Sequence, residues 1–448
     1  MNTPICDFVR SYADSKQLRL HMPGHKGIST LGVEHLDITE IDGADVLYRA
    51  DGIIKESEAN VSRLFGTALT KYSTEGSSLS IRAMLYLTVL YAKSIGKEPR
   101  ILAGRNAHHT FMTAAALLDL QVDWLYPENW ESLVSCKITA EYLDRVLDHP
   151  DKPVAVYITS PDYLGNVADI AELGAVCHRH GVLLLVDNAH GAYLNFLPEN
   201  RHPIALGADI CCDSAHKTLP VLTGGGYLHV SEQAPALFCQ QAEKALSLFA
   251  STSPSYLIMQ SLDAANRYLT EGYAERLADF VQMVDQLKRS LSEIGYELLG
   301  DEPLKITIAP KSFGYTGEDL AKILLDRNIV CEFADPDFIV FMLTPEITKE
   351  ELDYLMQVLC SIPRKDVIVI KPPVMSKPKQ VCSIREALFA VSSEVNVQDS
   401  LGKTLASTRI SCPPAIPIVV CGERIDADAI RCFEYYGVEI CQVITENK

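Results

Sequence analysis

Four short stretches of this 448-residue chain carry side chains that could do chemistry together. In DSAHKTLPVLTGGG, residues 213–226, Ser214, His216 and Lys217 fall within four positions, and Gly224–Gly226 follow. In VDNAHG, residues 186–191, Asp187 stands three positions before His190. In STEGSS, residues 73–78, Gly76 is followed by Ser77 and Ser78. In NAHHT, residues 106–110, His108 and His109 come just after the apolar run RILAG. A lysine amine whose pKa is lowered by its surroundings attacks carbonyls. A glycine followed by hydroxyls at a helix start offers N–H and O–H donors where the helix dipole favours an anion. A carboxylate ending a buried strand can keep a pyridine nitrogen protonated, which makes the ring an electron sink. A flat imidazole such as His108 can stack on that ring. An amine-reactive aldehyde, a phosphate and a pyridine ring are the parts of pyridoxal 5′-phosphate, and that is the expected cofactor. No metal site is expected.

The elements that must position these residues follow from apolar periodicity. SSLSIRAMLYLTVLYAK (77–93) and TFMTAAALLDL (110–120) have helical spacing. ADIAELGAVCHRHG (168–181) predicts a helix closed by Gly181. RILAG (100–104), VAVYITSP (154–161), VLLLVD (182–187) and ADICCDS (208–214) predict strands, and the continuous apolar run of VLLLVD suits a strand covered on both faces. Strands alternating with helices predict an α/β fold with a mostly parallel sheet. In such sheets ligands bind beyond the carboxyl ends of strands, where three of the stretches fall, and STEGSS sits at the start of the 77–93 helix.

Singly, each residue has an ordinary reading. Lys217 alone is a solvated lysine, Asp187 a turn residue, and His108 with His109 a helix-start feature. His178 and His180 point to different faces of a helix end and suit its C-terminal dipole better than a metal. Gly224–Gly226 lack the G-K-[ST] ending of a phosphate-binding P-loop. The chemical reading rests on the residues converging at one sheet edge.

Bulk properties narrow the classes. A net charge of −18 with no basic block argues against nucleic-acid binding. No apolar run approaches the roughly 18 residues of a membrane span, and residues 1–20 do not read as a secretory signal. Thirteen scattered cysteines without a CxxC predict reduced thiols and a cytoplasmic protein. The expected organisation is an N-terminal arm (1–54), a cofactor-binding large domain (55–254), bridging helices (255–298), a small α+β domain (299–370) and a C-terminal segment (371–448). Within the small domain, Thr348 and Glu351 have capping-box spacing.

Larger stretches resemble the Orn/Lys/Arg decarboxylases, in their short bacterial form. They are HMPGHKG (21–27), DGADVLYRADGIIKESE (42–58), GSS (76–78), NAHHTFMTAAAL (106–117), VDNAHGAYLNF (186–196), DSAHKTLP (213–220), STSPSYLIMQSLDAAN (251–266) and PPAIPIVVCGERI (413–425). The resemblance implies PLP fold type I, the aspartate-aminotransferase-like fold, with a large domain built on a seven-stranded-type sheet and a small C-terminal domain. It implies Lys217 as the cofactor-bearing lysine and Asp187 as partner of the pyridine nitrogen. It places Ala189 under the ring, His190 beside it and His108 stacked upon it. Gly76, Ser77, Ser78, Ser214 and His216 become phosphate or lysine-neighbour ligands. Ser251 and Thr252 would complete the site of a second subunit, which implies a homodimer or a higher homo-oligomer.

The implied activity is α-decarboxylation of arginine, lysine or ornithine. An aminotransferase or lyase activity, or a catalytically silent homologue, remains the alternative. An aminotransferase would use an arginine such as Arg409 for the substrate carboxylate. Two positions depart from the family's usual pattern. Asn188 replaces the glutamate of Asp-Glu-Ala-His, and Glu75 replaces an Asn or Gln before the loop glycine. For the distal cation of the substrate, Asp45, Glu75 and Glu423 are the candidate carboxylates.

Overall fold

The computed structural model describes residues 1–127, 130, 132–374, 377–407 and 416–445. Seven strands make the large sheet: β1 Leu69–Ser73, β2 Arg100–Gly104, β3 Gln121–Leu125, β4 Ala155–Thr159, β5 Leu183–Asp187, β6 Ile210–Asp213 and β7 Gly226–Val230. Their order is β1-β7-β6-β5-β4-β2-β3. β5 pairs parallel with β6, and β2 with β3, whereas β7 runs antiparallel to both β6 and β1. The sheet is the mostly parallel one expected. Periodicity does not single out β1, β3 or β7. β3, QVDWL, mixes polar and apolar residues with only Val122 and Leu125 buried, and β7 emerges directly from glycines.

The chain divides into two compact units. The first comprises Met1–Pro99, Leu147–Tyr157 and Ile170–Ala278. Every residue of β5 is buried, as its unbroken apolar run requires. The helix Gly76–Ser94 buries Leu79, Ile81, Met84, Leu85 and Leu87, a nearly all-round apolar surface that fits a helix enclosed by other elements. The arm opens with a helix, Pro4–Asp14, which the sequence reading does not anticipate. Its N-cap residue Thr3 makes no side-chain cap. Instead Asp263 Oδ2 accepts hydrogen bonds from the N–H groups of Ile5 and Cys6, each at 3.0 Å, and its Oδ1 accepts one from the Ser57 hydroxyl. A buried carboxylate on a distant helix thus satisfies the orphan donors of this helix start.

The second unit comprises Arg100–Val146, Ile158–Asp169 and Asp279–Lys448. Its small antiparallel sheet joins β8 Glu297–Leu299, β9 Lys305–Ala309, β10 Phe333–Ala334 and β11 Ile339–Met342 in the order β10-β11-β9-β8. Helix Lys349–Ser361 starts with the capping box expected of Thr348 and Glu351, and Thr316 with Asp319 forms another before Gly317–Leu325. β12 Ser392–Asn396 and β13 Ile440–Ile444 pair in the last segment. Arg105, just past β2, anchors that segment. Its guanidinium donates to the carbonyls of Pro417 and Ile418 and to Glu423 at 3.0–3.2 Å, and it lies over the rings of Trp124 and Trp130. Among the described residues no helix is long and apolar enough to cross a membrane.

Candidate active site

In the first unit, three chain turns leave neighbouring strand ends. Asp187 is the last residue of β5 and is 2% exposed. The Tyr157 hydroxyl donates to its Oδ2 at 3.0 Å, and the Ala189 N–H to its Oδ1 at 3.3 Å. Burial pushes this carboxyl above the ordinary carboxylate range, and the Tyr157 hydrogen bond and the charge of Lys217 pull only partly against it. Such a group gains from a cationic N–H brought against it.

Lys217 sits in the short helix Ala215–Thr218 that follows β6. Its N–H bonds back to the Ser214 carbonyl at 3.0 Å, and its Nζ lies 2.8 Å from His190 Nε2. His216 is fixed by Nδ1 donating to the Gly225 carbonyl at 2.8 Å, and burial together with the charge of Lys217 lowers its pKa. The Lys217 amine and the His190 imidazole are therefore already in contact.

The glycine–hydroxyl loop completes this cluster. Gly76 has φ +65°, the left-handed region that a side chain disfavours, and it opens the helix Gly76–Ser94. The Ser214 hydroxyl donates to Ser77 Oγ at 2.8 Å, which ties the lysine turn to the helix start. Gly224 and Gly226 lie against backbone atoms of this loop and of the neighbouring strand end. A Cβ on Gly226 would lie 2.9 Å from the Asp213 carbonyl, 3.0 Å from Gly76 and 3.2 Å from the Ser77 nitrogen. One on Gly224 would lie 2.9 Å from the Thr74 carbonyl. They let the strand end and the helix start pack backbone to backbone.

The structure thus brings together Gly76, Ser77, Ser214, His216, Lys217, Asp187, Ala189 and His190 in one unit, with Ser78 on the same helix turn. Ser251 and Thr252 are exposed, and the Ser251 N–H donates to Glu75 Oε1 at 2.7 Å. Glu75, the departure beside the loop glycine, is therefore directed at that turn. His108 lies in the second unit, where it caps the helix His109–Leu118 by accepting from the Thr110 N–H. Arg409 lies outside the described residues. Of the three carboxylates weighed for the distal cation, Asp45 already accepts from five backbone N–H groups and Glu423 pairs with Arg105. His178, read as a helix-end charge, faces Asp209 at 3.1 Å.

Sequence reasoning misses Tyr157, whose signal is a single hydroxyl within an apolar strand. It also misses a buried cluster of Asn188, His202, Asp213 and His229, drawn from four segments that no local motif joins.

The family model for the major domain of Orn/Lys/Arg decarboxylases matches residues 3–301. The chain belongs to the Orn/Lys/Arg decarboxylase family. It is 29% identical to an arginine decarboxylase of Halalkalibacterium halodurans, over 94% of this chain and 91% of that one. It is 28% identical to the arginine decarboxylase of Bacillus subtilis, over 96% and 92%. Among solved structures, the lysine decarboxylase LdcF of Francisella novicida superposes with a TM-score of 0.82 at 18% identity, covering 99% of this chain and 81% of that one. A serine palmitoyltransferase of Sphingomonas wittichii follows the same fold less closely, with a TM-score of 0.56 at 15% identity over 81% and 83%. The fold is that of PLP fold type I.

As a member of this family the protein is a PLP-dependent decarboxylase of basic amino acids. Its residues fit the cofactor on observations of their own. A buried carboxylate raised by desolvation matches a pyridinium, a glycine-floored helix start matches a phosphate, and a lysine amine lies 2.8 Å from the imidazole of His190, three residues after that carboxylate.

The raised pKa of Asp187 carries a sign. A carboxyl whose folded pKa exceeds its unfolded value of about 3.9 supports the fold fully below that pH and loses this contribution as pH rises through the folded pKa. At neutral pH the cofactor-free Asp187→Asn variant should therefore resist urea at least as well as the parent. The cofactor-loaded variant should lose about 10²- to 10³-fold in kcat. A variant that is less stable without cofactor, or as active with it, contradicts this assignment.

Proposed function

We propose that the substrate is arginine and the product its decarboxylated amine, agmatine. The observation that carries this is the end-to-end match, at 28–29% identity, to proteins named arginine decarboxylase. The lysine decarboxylase structures, at 16–18% identity, speak for the fold alone.

In this reading Lys217 holds the cofactor covalently, with His190 against its Nζ. Asp187, held by Tyr157, would pair as an anion with the protonated pyridine nitrogen. The N–H groups and hydroxyls of Gly76, Ser77, Ser78 and Ser214 receive the phosphate at the helix start, with His216 bracing the turn. Ala189 would pack under the ring, and the resemblance of its motif would give His108 the stacking role. Pyridoxal phosphate supplies an electron sink for the pair left at Cα when CO₂ departs. The residues around it would orient the substrate so that the carboxylate is the group lost from Cα, a positioning effect on the order of several kcal/mol. They also decide where the proton returns. Lys217 Nζ, or the His190 imidazole it touches, is the proton donor to Cα.

Ser251 and Thr252, exposed on this chain, serve the site of a second copy, so the working unit is at least a homodimer. The cytoplasm is the compartment that fits its free thiols.

The activity test offers carboxyl-labelled arginine, lysine and ornithine to the PLP-loaded protein. Released label with stoichiometric agmatine from arginine, at a kcat/KM at least about tenfold above the other two, is expected. Preference for lysine or ornithine would reassign the substrate, and a 2-oxo acid product would reassign the reaction to an aminotransferase. For the dimer, Lys217→Ala and Thr252→Ala chains are mixed. Hybrids should recover activity that neither parent shows, and a fully active monomer in sedimentation would remove the shared site.

A further inference from the structure

We propose that Asn188 and Asp213 form a buried positioning bridge. It sets how the turns bearing Asp187–His190 and Ser214–Lys217 leave the sheet, and hence the contact between Lys217 and His190. The inference rests on the site reading above and adds to it two residues that touch neither cofactor nor substrate.

The bridge sits where the two turns begin. β5 and β6 pair in register with Asp187 opposite Cys212, and the Asn188 N–H extends the ladder by donating to the Cys212 carbonyl at 3.0 Å. One residue on, Asn188 Nδ2 donates to Asp213 Oδ1 at 2.7 Å. Asp213 Oδ2 accepts from His202 Nε2 at 3.1 Å and from His229 Nε2 at 3.2 Å. Asn188, Asp213, His202 and His229 are all 0% exposed. Strand alternation puts this cluster behind the site. Cys212 shares a face with Asp187, their Sγ and Oδ1 being 3.6 Å apart, so Asp213 projects to the other side.

Further features mark the bridge as specific. A Cβ on Gly191 would lie 2.0 Å from Asn188 Oδ1, so that glycine reserves the amide's space. The amide also accounts for the departure at this position. With Asp213 opposite, a glutamate would set two carboxylates together in a dry interior, whereas the amide donates. Thr70 Oγ1 holds His229 Nδ1 at 2.8 Å, which orients the second imidazole.

The donor set His202, Cys211 and Asp213 lies within 4.8 Å and has metal-ligating chemistry. The hydrogen bonds favour the bridge. His202 Nδ1 accepts from the Ile204 N–H at 3.4 Å, which keeps its proton on Nε2, facing Asp213. A metal would need that nitrogen bare.

The experiment compares the parent with Asn188→Ala, Asn188→Asp, Asp213→Asn and the exchanged pair Asn188→Asp/Asp213→Asn. It measures the PLP dissociation constant by absorbance titration, the kcat and KM of the loaded enzyme, the urea midpoint and the metal content. Asn188→Asp should weaken PLP binding about tenfold or more, and the exchanged pair, with one amide and one carboxylate again, should recover most of that loss. Asn188→Ala, which introduces no charge and so folds more readily, should weaken PLP binding about threefold or more and lower kcat with KM nearly unchanged. Three results would overturn the bridge. They are an exchanged pair no better than Asn188→Asp alone, an Asn188→Ala protein that lowers the urea midpoint without touching PLP affinity or kcat, and one equivalent of zinc in the parent. The parent's own affinity for PLP reports on the site reading, whereas the ratios between variants report on the bridge.

Discussion

Burial of the Asp187 carboxyl is the constraint on which the site depends. Left alone in a dry interior, an ionised carboxylate costs several kcal/mol. Here it is supported from one side by a tyrosine hydroxyl and its own turn's N–H, and from farther off by the charge of Lys217. That support is incomplete, which is why its pKa stays raised. A cofactor bearing a protonated ring nitrogen supplies the missing partner. The strand end that creates the burial is thus also what prepares the site for a cation.

Around that carboxyl, rigid contacts replace flexible ones. Lys217 is attached to a four-residue helix held by the Ser214 carbonyl and by hydroxyl contact with Ser77. The helix start that offers N–H groups is pressed against β7 through glycines with no room for a side chain. Behind the sheet, Asp213 and its amide and imidazole partners brace the same strand ends. Preorganisation of this kind lets binding energy go into the reaction instead of ordering the site.

Much of this was legible in the sequence because the decisive signals are local. Asp187 and Lys217 each directly follow an apolar run that can only be a buried strand, and Gly76–Ser78 directly precede a long apolar helix. The resemblance to the Orn/Lys/Arg decarboxylases includes these stretches and adds others, such as HMPGHKG (21–27) and PPAIPIVVCGERI (413–425). What stayed hidden depends on contacts between distant segments. Asp263 caps the arm's helix from more than 250 positions away, so nothing near Pro4 signals it. Tyr157 reads as one more residue of an apolar strand until Asp187 is placed beside it. Glu423 reads as a free carboxylate until Arg105 is found against it. The antiparallel β7 hides behind glycines whose purpose is close packing. Asn188 looks like a loss from the family pattern, and only Asp213 opposite it turns the change into a fit.

Every role assigned around Asp187 requires Lys217 to be the residue that bears the cofactor. The most direct measurement is to load the purified protein with pyridoxal phosphate, reduce it with borohydride, digest it and locate the modified residue by mass spectrometry. A single stoichiometric pyridoxyl adduct on Lys217, absent from the Lys217→Ala protein, is expected. An adduct on a different lysine, or equal labelling of the Lys217→Ala protein, would contradict it.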